Sequence, residues 1–415
     1  MTDLLFEPIH YCSPSRILFG NGMRAKLPGL LRHLRLARAV LVTDRFFAAP
    51  GGPGEALVAA LRSAGIACTV FDGCRPDPSL ALCDEATARL RGRGDPQCVI
   101  ALGGGSNIDL AKVLCLTLMS GAPAASFVGT MALPHDPLPL IALPTTSGTA
   151  SELTPGAILV SGDGQTKVAV MDNQLRAQVA LIDPELSLTC PPRVTADAGI
   201  DALAHAIESY VTLDASAFDL EGHPDPGYSG RNVLTRMFAL QSVTLCFQHL
   251  LTAYREPENL AARTGMALAS LYAGLSYGNA GLNGVHALAY GVAALTHASH
   301  GTTNAVILPY VMADLAEVRM NDLSDIAHAA GIHPGNPPSR QAARAAAAHV
   351  RDLIAAVGLP TDLRRMGVTE SSLGALVEAG LGVGRLTKAY PAADAPRRYR
   401  AIVQAAYAGE LVPHG

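Results

Sequence analysis

A chain of 415 residues can bury a large core and, at ordinary domain sizes, has room for about two to three domains. Hydrophobic residues make up 49% and charged residues 16%. With a formal net charge of −4 and no basic run longer than an arginine pair, nucleic acid and anionic membranes are poor candidate partners. Its 8 cysteines stand singly with no CxxC pair, which speaks against a disulfide framework or a thiolate metal site.

The N-terminal stretch MTDLLFEPIHYC lacks the basic and apolar regions of a secretory signal, so a cytoplasmic protein is expected. No apolar run approaches the roughly 20 residues of a membrane-spanning helix. Up to about residue 190, short β-branched runs alternate with helical stretches: ARAVLVTD, ACTVFDG, CVIALGG, PLIALPT and QVALIDP. That order predicts a parallel, helix-covered sheet, an α/β Rossmann-like domain over residues 1–190.

Three of these strand ends carry cues for a nucleotide. The first strand ends on Asp44, a carboxylate able to accept both hydroxyls of an adenosine ribose and to repel a 2′-phosphate, which favours NAD(H) over NADP(H). CVIALGGGSNIDLAK runs a strand through Gly103, Gly104, Gly105 and Ser106 into a helix carrying Asp109 and Lys112. The glycines admit a phosphate, and the helix start attracts it, although the run is not a GxGxxG fingerprint. PLIALPTTSGTASELT then offers Thr145, Thr146, Ser147, Gly148 and Thr149 as small hydrogen-bonding groups. Each cue alone is matched by a helix cap or a tight turn. Their joint occurrence at successive strand ends points to a dinucleotide.

Beyond Cys190-Pro191-Pro192 the strand signals stop, and residues 191–415 read as an all-α domain with helices over 196–211, 231–254, 257–276, 283–297, 303–318 and 338–357. Residues 213–230 form a Pro/Gly-punctuated excursion between two of them. Thr195 is placed to cap the first helix, on which Asp201 and His205 are one turn apart and able to share an ion. His286 and Tyr290 are likewise one turn apart on a later helix. His300 falls in the loop that closes it, with His297 as its competitor for the role of last ligand.

GGGSNIDLAK, PTTSGTASE, the DALAHAIE run at 201–208 and the segment from His286 to Pro309 together resemble the signature segments of the iron-containing alcohol dehydrogenase family. The resemblance implies a Rossmann-like domain followed by a helical domain of the dehydroquinate-synthase-like architecture. It assigns metal-ligand roles to Asp201, His205, His286 and His300, preferring His300 to His297. Cofactor contacts carry over to Asp44, Gly104, Gly105, Ser106, Asp109, Thr145, Thr146, Thr149 and Lys167, and to Leu186 in the segment reaching Cys190. Many relatives have a histidine where this chain has Tyr290, a residue placed to act in catalysis. Asp77 stands where the family usually has Asn.

Three imidazoles and a carboxylate suit Fe(2+), with Zn(2+) possible on the same donors, rather than Mg(2+) or Ca(2+). The expected activity is an NAD-linked alcohol dehydrogenase or aldehyde reductase, with the ion as a Lewis acid toward a small-molecule alcohol or carbonyl. The alternatives are a maleylacetate reductase or a hydroxyacid–oxoacid transhydrogenase acting on acidic substrates. Of the basic residues near the ligand motifs, only Arg193, Arg231 and Arg263 stand out. A catalytically silent metal-binding assembly protein is the reading from a different class. A homodimer or larger homo-oligomer is expected.

Overall fold

The computed structural model describes residues 9–129, 133–164, 166–220, 222–332 and 338–411. They form two compact units. One comprises Cys12–Thr189 with Pro224–Gly227, and the other the remaining described residues.

The first unit is built on a six-stranded, fully parallel sheet of β1 (Arg16–Phe19), β2 (Arg38–Val42), β3 (Ala67–Phe71), β4 (Cys98–Gly103), β5 (Leu140–Pro144) and β8 (Val179–Ile182). Across the sheet the order is β1-β8-β5-β4-β2-β3. Because side chains alternate along a strand, the sheet feeds two cores. Val40, Val42, Val99, Ala101, Leu140 and Ala142 pack under α4 (Leu80–Leu90) and α5 (Gly105–Ser120). Ala39, Leu41, Ile100, Leu102, Ile141 and Leu181 face α1 (Leu27–His33) and α3 (Pro53–Ser63). Strands covered on both faces read as continuous apolar runs, which is why the central ones were visible in the sequence.

Two features were not visible. β1 is a four-residue edge strand with partly exposed side chains, and an antiparallel hairpin of β6 (Gly156–Val160) and β7 (Lys167–Met171) stands apart from the main sheet. The order of the sheet reverses at β2, since β3 lies on one side of it and β4 on the other. The crevice outside the carboxyl ends of β2 and β4 is therefore the switch point, where ligands settle in open α/β sheets.

The second unit is helical, made of α6 (Pro192–Val211), α7 (Val233–Arg255), α8 (Leu260–Ala280), α9 (Gly284–Thr296), α10 (His300–Asp314), α11 (Met320–Ala329), α12 (Arg340–Ala356), α13 (Leu373–Gly382), α14 (Gly384–Thr387) and α15 (Ala395–Ala408). Every residue of α6 from Gly199 to Val211 is buried, so this helix is a central post rather than a surface amphipath.

The structure corrects two expectations here. Thr195 does not cap α6: the helix begins at Pro192, whose missing N–H suits a first position, and the Thr195 hydroxyl bonds the Pro191 carbonyl at 3.1 Å. His300 is not in a loop but is the first residue of α10. Within the 213–230 excursion, residues 224–227 belong with the α/β unit: Asn173 donates to Asp225 at 2.7 Å and to the Pro226 carbonyl at 3.1 Å. Among the described residues no helix is long and apolar enough to cross a membrane.

Candidate metal centre and dinucleotide crevice

α6 presents Asp201, His205 and Glu208 one turn apart, α9 presents His286, and α10 opens on His300. One ligand atom from each of Asp201, His205, His286 and His300 lies within 4.8 Å of the others. Asp201 Oδ1 is 3.7 Å from His205 Nε2, 3.8 Å from His286 Nε2 and 3.7 Å from His300 Nε2. The two buried imidazoles approach with Nε2 atoms 3.1 Å apart. Separations of this size are the edges of a tetrahedron with bonds of about 2.0–2.2 Å. Asp201, His205 and His286 are buried, whereas the His300 side chain is 42% exposed, so the cluster opens to solvent on that side.

Burial acts to raise the Asp201 carboxyl, but His205, His300, His286 and the Asn304 amide outweigh it and hold its pKa below the ordinary value. The side chains of the cluster are also aimed from behind. Nδ1 of His286 meets the Glu208 carboxylate. A proton on that nitrogen leaves the Nε2 lone pair for an ion. Glu208 is itself fully buried and accepts from the backbone N–H groups of Asn283, Val285 and His286, at 3.0, 2.9 and 3.4 Å. A carboxylate at this helix start is stabilised by the N–H groups and the dipole. His205 is held flat against Tyr277, with ring centroids 4.0 Å apart.

α10 is fixed to α6 by Asp197, which accepts from Ser299 Oγ, Thr302 N and Thr302 Oγ1 at 2.5, 2.6 and 2.8 Å. Gly301 allows the close approach, since a Cβ there would lie 2.0 Å from the Asp197 carbonyl oxygen. His297, by contrast, ends α9 in the left-handed conformation and is no part of the cluster.

Asn304, which sequence reasoning passed over, points its Nδ2 into the group, 2.8 Å from Asp201 Oδ1, 3.0 Å from His286 Nε2 and 3.3 Å from His300 Nε2. Its Oδ1 is buried without a partner. Glu208 was also missed. The i, i+4, i+7 spacing of Asp201, His205 and Glu208 along one helix face was the signal that could have found it.

At the switch-point crevice, Gly104 caps α5, and Thr146 and Thr149 stand against the glycines. A Cβ on Gly105 would come within 2.7 Å of Thr149 Oγ1, and one on Gly104 within 3.4 Å of Thr146 Oγ1. The cradle is thus kept open by glycine at the start of a 16-residue helix, an arrangement that fits a pyrophosphate. Ser106 follows in the first turn, half-buried, and buried Thr145 donates its N–H to Gly103 at 3.1 Å.

Asp44 caps the four-residue α2 (Arg45–Ala48) through one oxygen, while Asn107 donates to the other at 3.3 Å. Asp109 lies beneath the threonine loop, accepting from Ser151 Oγ at 2.5 Å and from Ile158 N at 2.9 Å. Lys167, on β7, pairs with Asp77 at 2.7 Å, and Asp77 itself adopts a left-handed turn with φ of 49°. The side chain of Leu186 is buried in the core beneath the sheet. Lys112 is structural, donating to the Thr154 and Gly156 carbonyls at 2.9 and 2.6 Å.

A chain that carries both a parallel α/β unit with a glycine-opened switch point and a helical unit with a three-histidine, one-aspartate cluster belongs to a class of oxidoreductase that acts on CH–OH groups. Family models for iron-containing alcohol dehydrogenase and for its C-terminal region match residues 14–184 and 228–407, and the chain belongs to the iron-containing alcohol dehydrogenase family.

It is 34% identical to long-chain-alcohol dehydrogenase 1 of Geobacillus thermodenitrificans, covering 97% of this chain and 99% of that one. The crystal structure of 1,3-propanediol oxidoreductase superposes with a TM-score of 0.88 at 29% identity, over 97% of this chain and 100% of that one. Sulfoacetaldehyde reductase from Bifidobacterium kashiwanohense, solved with NAD+, matches at 26% identity and a TM-score of 0.82, over 96% and 99%.

Proposed function

We propose that this chain is a cytoplasmic, metal-dependent and NAD-linked alcohol dehydrogenase, working reversibly as an aldehyde reductase on a small-molecule substrate and assembling as a homodimer or larger homo-oligomer. The observation that carries the reading is the convergence of Asp201, His205, His286 and His300 on one point in a buried, partly solvent-open cluster. In this reading residues 1–190 bind the dinucleotide and residues 191–415 hold the ion.

Fe(2+), or Zn(2+) on the same donors, would supply Lewis acidity toward the substrate oxygen, and nicotinamide would take the hydride. The protein's own groups do the rest. Glu208 keeps a proton on Nδ1 of His286 so that Nε2 faces the cluster, and Asn304 steadies Asp201 by donating to Oδ1. Gly104, Gly105 and the Thr146/Thr149 hydroxyls receive the pyrophosphate at the start of α5, with Ser106 in the first turn and Thr145 beside them.

Asp44 takes the adenosine ribose and disfavours a 2′-phosphate, so NAD(H) is preferred to NADP(H). Asp109 supports this loop from below, and Lys167 reaches the cofactor from the hairpin. Tyr290 acts beside the substrate, where its hydroxyl accepts from Arg385 at 3.1 Å.

NADH absorbance followed with a panel of short alcohols, aldehydes and oxo acids, in protein loaded anaerobically with iron or with zinc, tests the reading. Turnover of alcohols with NAD+ is expected, and the absence of NADH formation or consumption with every compound would refute it. Tyr290→Phe should keep its metal while altering turnover, and metal loss in that variant would contradict the role given to Tyr290.

A further inference from the structure

Arg385 sits on α14, which packs against α9, and it donates from Nη2 to the Tyr290 hydroxyl at 3.1 Å, with its Cζ 6.0 Å from the centre of that ring. Tyr290 follows His286 by four residues on α9, so the two share a face with Cβ atoms about 5–6 Å apart. The guanidinium is therefore held at the tip of a side chain that leaves the same helix face as the third donor of the cluster.

The other shielded arginines of the helical unit are tied to carboxylates or to backbone carbonyls, Arg351 among them through the Gly409 carbonyl at 3.3 Å. Arg231 pairs with Asp214 and Asp322, both at 2.7 Å. Arg236 pairs with Asp322 at 2.7 Å, Arg319 with Asp214 at 3.3 Å and Arg398 with Asp314 at 2.8 Å. Arg263 has no carboxylate but spends its N–H groups on Pro257, Thr195 and Cys190 at 2.7–2.8 Å. Among the described half-buried or buried arginines of this unit, Arg385 is the one that hydrogen-bonds a neutral phenol and no carboxylate or carbonyl, with four N–H donors left over. A shielded cation with neither counter-charge nor filled donors is costly for folding alone, and a ligand oxoanion would complete it.

We propose that Arg385 is a specificity-determining residue that grips an oxoanion on the substrate, at the end away from the reacting carbon. The preferred substrates are then short-chain alcohols ending in a carboxylate or a sulfonate, together with the matching aldehydes. The planar guanidinium offers two parallel donors to either group. Tyr290, accepting from Arg385, keeps its own O–H free to donate to the same anion. The proposal rests on the alcohol dehydrogenase reading above and narrows its substrate class.

The test compares kcat/KM for 3-hydroxypropanoate and for isethionate with that for 1-propanol, in the metal-loaded wild type and in Arg385→Ala and Arg385→Lys. Equilibrium binding of propanoate against propanamide to the NADH-loaded protein gives a readout without turnover. The wild type should favour the anionic substrates and bind propanoate over propanamide. In Arg385→Ala the anionic-to-neutral ratio should fall about 10- to 100-fold, mainly through KM. Arg385→Lys should recover part of it, since it keeps the charge and loses the fork.

Preference for one anion over the other tells carboxylate from sulfonate. If Arg385→Ala does not fold, the wild-type preference and the Lys variant decide the question. Equal use of propanol and both anions by the wild type, or a ratio unmoved in the variants, overturns the subsite and leaves alcohol oxidation standing. Failure of every alcohol overturns both.

Discussion

In the helical unit four side chains converge, and an aspartate and two histidines are buried to bring them together. In the α/β unit the strand ends instead present glycines, hydroxyls and backbone N–H groups around a space. The first arrangement stores repulsion and desolvation that an ion relieves. The second stores almost none, because glycine and helix-start N–H groups are satisfied by water when no phosphate is bound. The helical site should therefore respond to loss of a side chain, and the crevice to gain of one.

The largest effect is expected from His205→Ala, which removes a donor 3.1 Å from His286 Nε2. It should abolish metal retention and reduce kcat/KM by three orders of magnitude or more, about 4 kcal/mol of transition-state stabilisation. Metal analysis and NADH kinetics would check this. Glu208→Gln keeps the shape behind His286 but removes the charge. Metal affinity should fall about 10- to 100-fold with the fold intact, as read by chelator competition. Unchanged affinity would mean that Glu208 is a helix-start anchor and nothing more.

The converse experiment adds a group to the crevice. Gly105→Ala places a Cβ within 2.7 Å of Thr149 Oγ1, so the threonine must shift. NADH should bind roughly tenfold more weakly while the bound metal stays unchanged, which titration of cofactor fluorescence would show. Loss of metal in this variant would break the distinction between the two sites. Asp44→Gly should relax the preference for NAD+ over NADP+, with some loss of stability because the carboxylate also caps α2; an unmoved selectivity ratio would remove Asp44 from ribose recognition.

The smallest effect on activity is expected at Glu152, beneath the threonine loop, where the readout is stability. Burial raises its carboxyl to about 7, against the opposing pull of its own backbone N–H and of Lys112. Between its ordinary value of 4.5 and about 7, the folded state keeps a proton that the unfolded chain has released. Stability therefore falls as pH rises through that window and levels off above it. Glu152→Gln should flatten the decline and add up to about 3 kcal/mol at slightly alkaline pH, measured by urea unfolding.

The same contrast explains what could be read from the amino-acid order. The central strands were legible because burial on both faces makes them apolar throughout, and Asp201 with His205 because helical spacing alone puts them on one face. His300 could not be placed in a helix, since Gly301-Thr302-Thr303 has poor helix propensity; Asp197, more than a hundred residues earlier in the chain, fastens that first turn. Thr195 was an attractive cap, but Pro192 starts the helix one turn sooner.

The hairpin β6–β7 was hidden because its strands are short and only partly buried. Arg385 lies ninety-five residues from Tyr290 and is joined to it only by the packing of α14 on α9, so no local pattern could reveal it.

The central claim is that Asp201, His205, His286 and His300 bind the ion on which hydride transfer depends. The direct test is to purify the chain anaerobically, quantify iron and zinc, strip the ion with a chelator and restore it, following NADH-linked activity and thermal stability at each stage. The account predicts a stoichiometric ion, activity that tracks occupancy, and a melting temperature that falls on stripping and recovers on reloading. A protein that holds neither iron nor zinc, or that oxidises alcohols equally well after complete stripping, would contradict it.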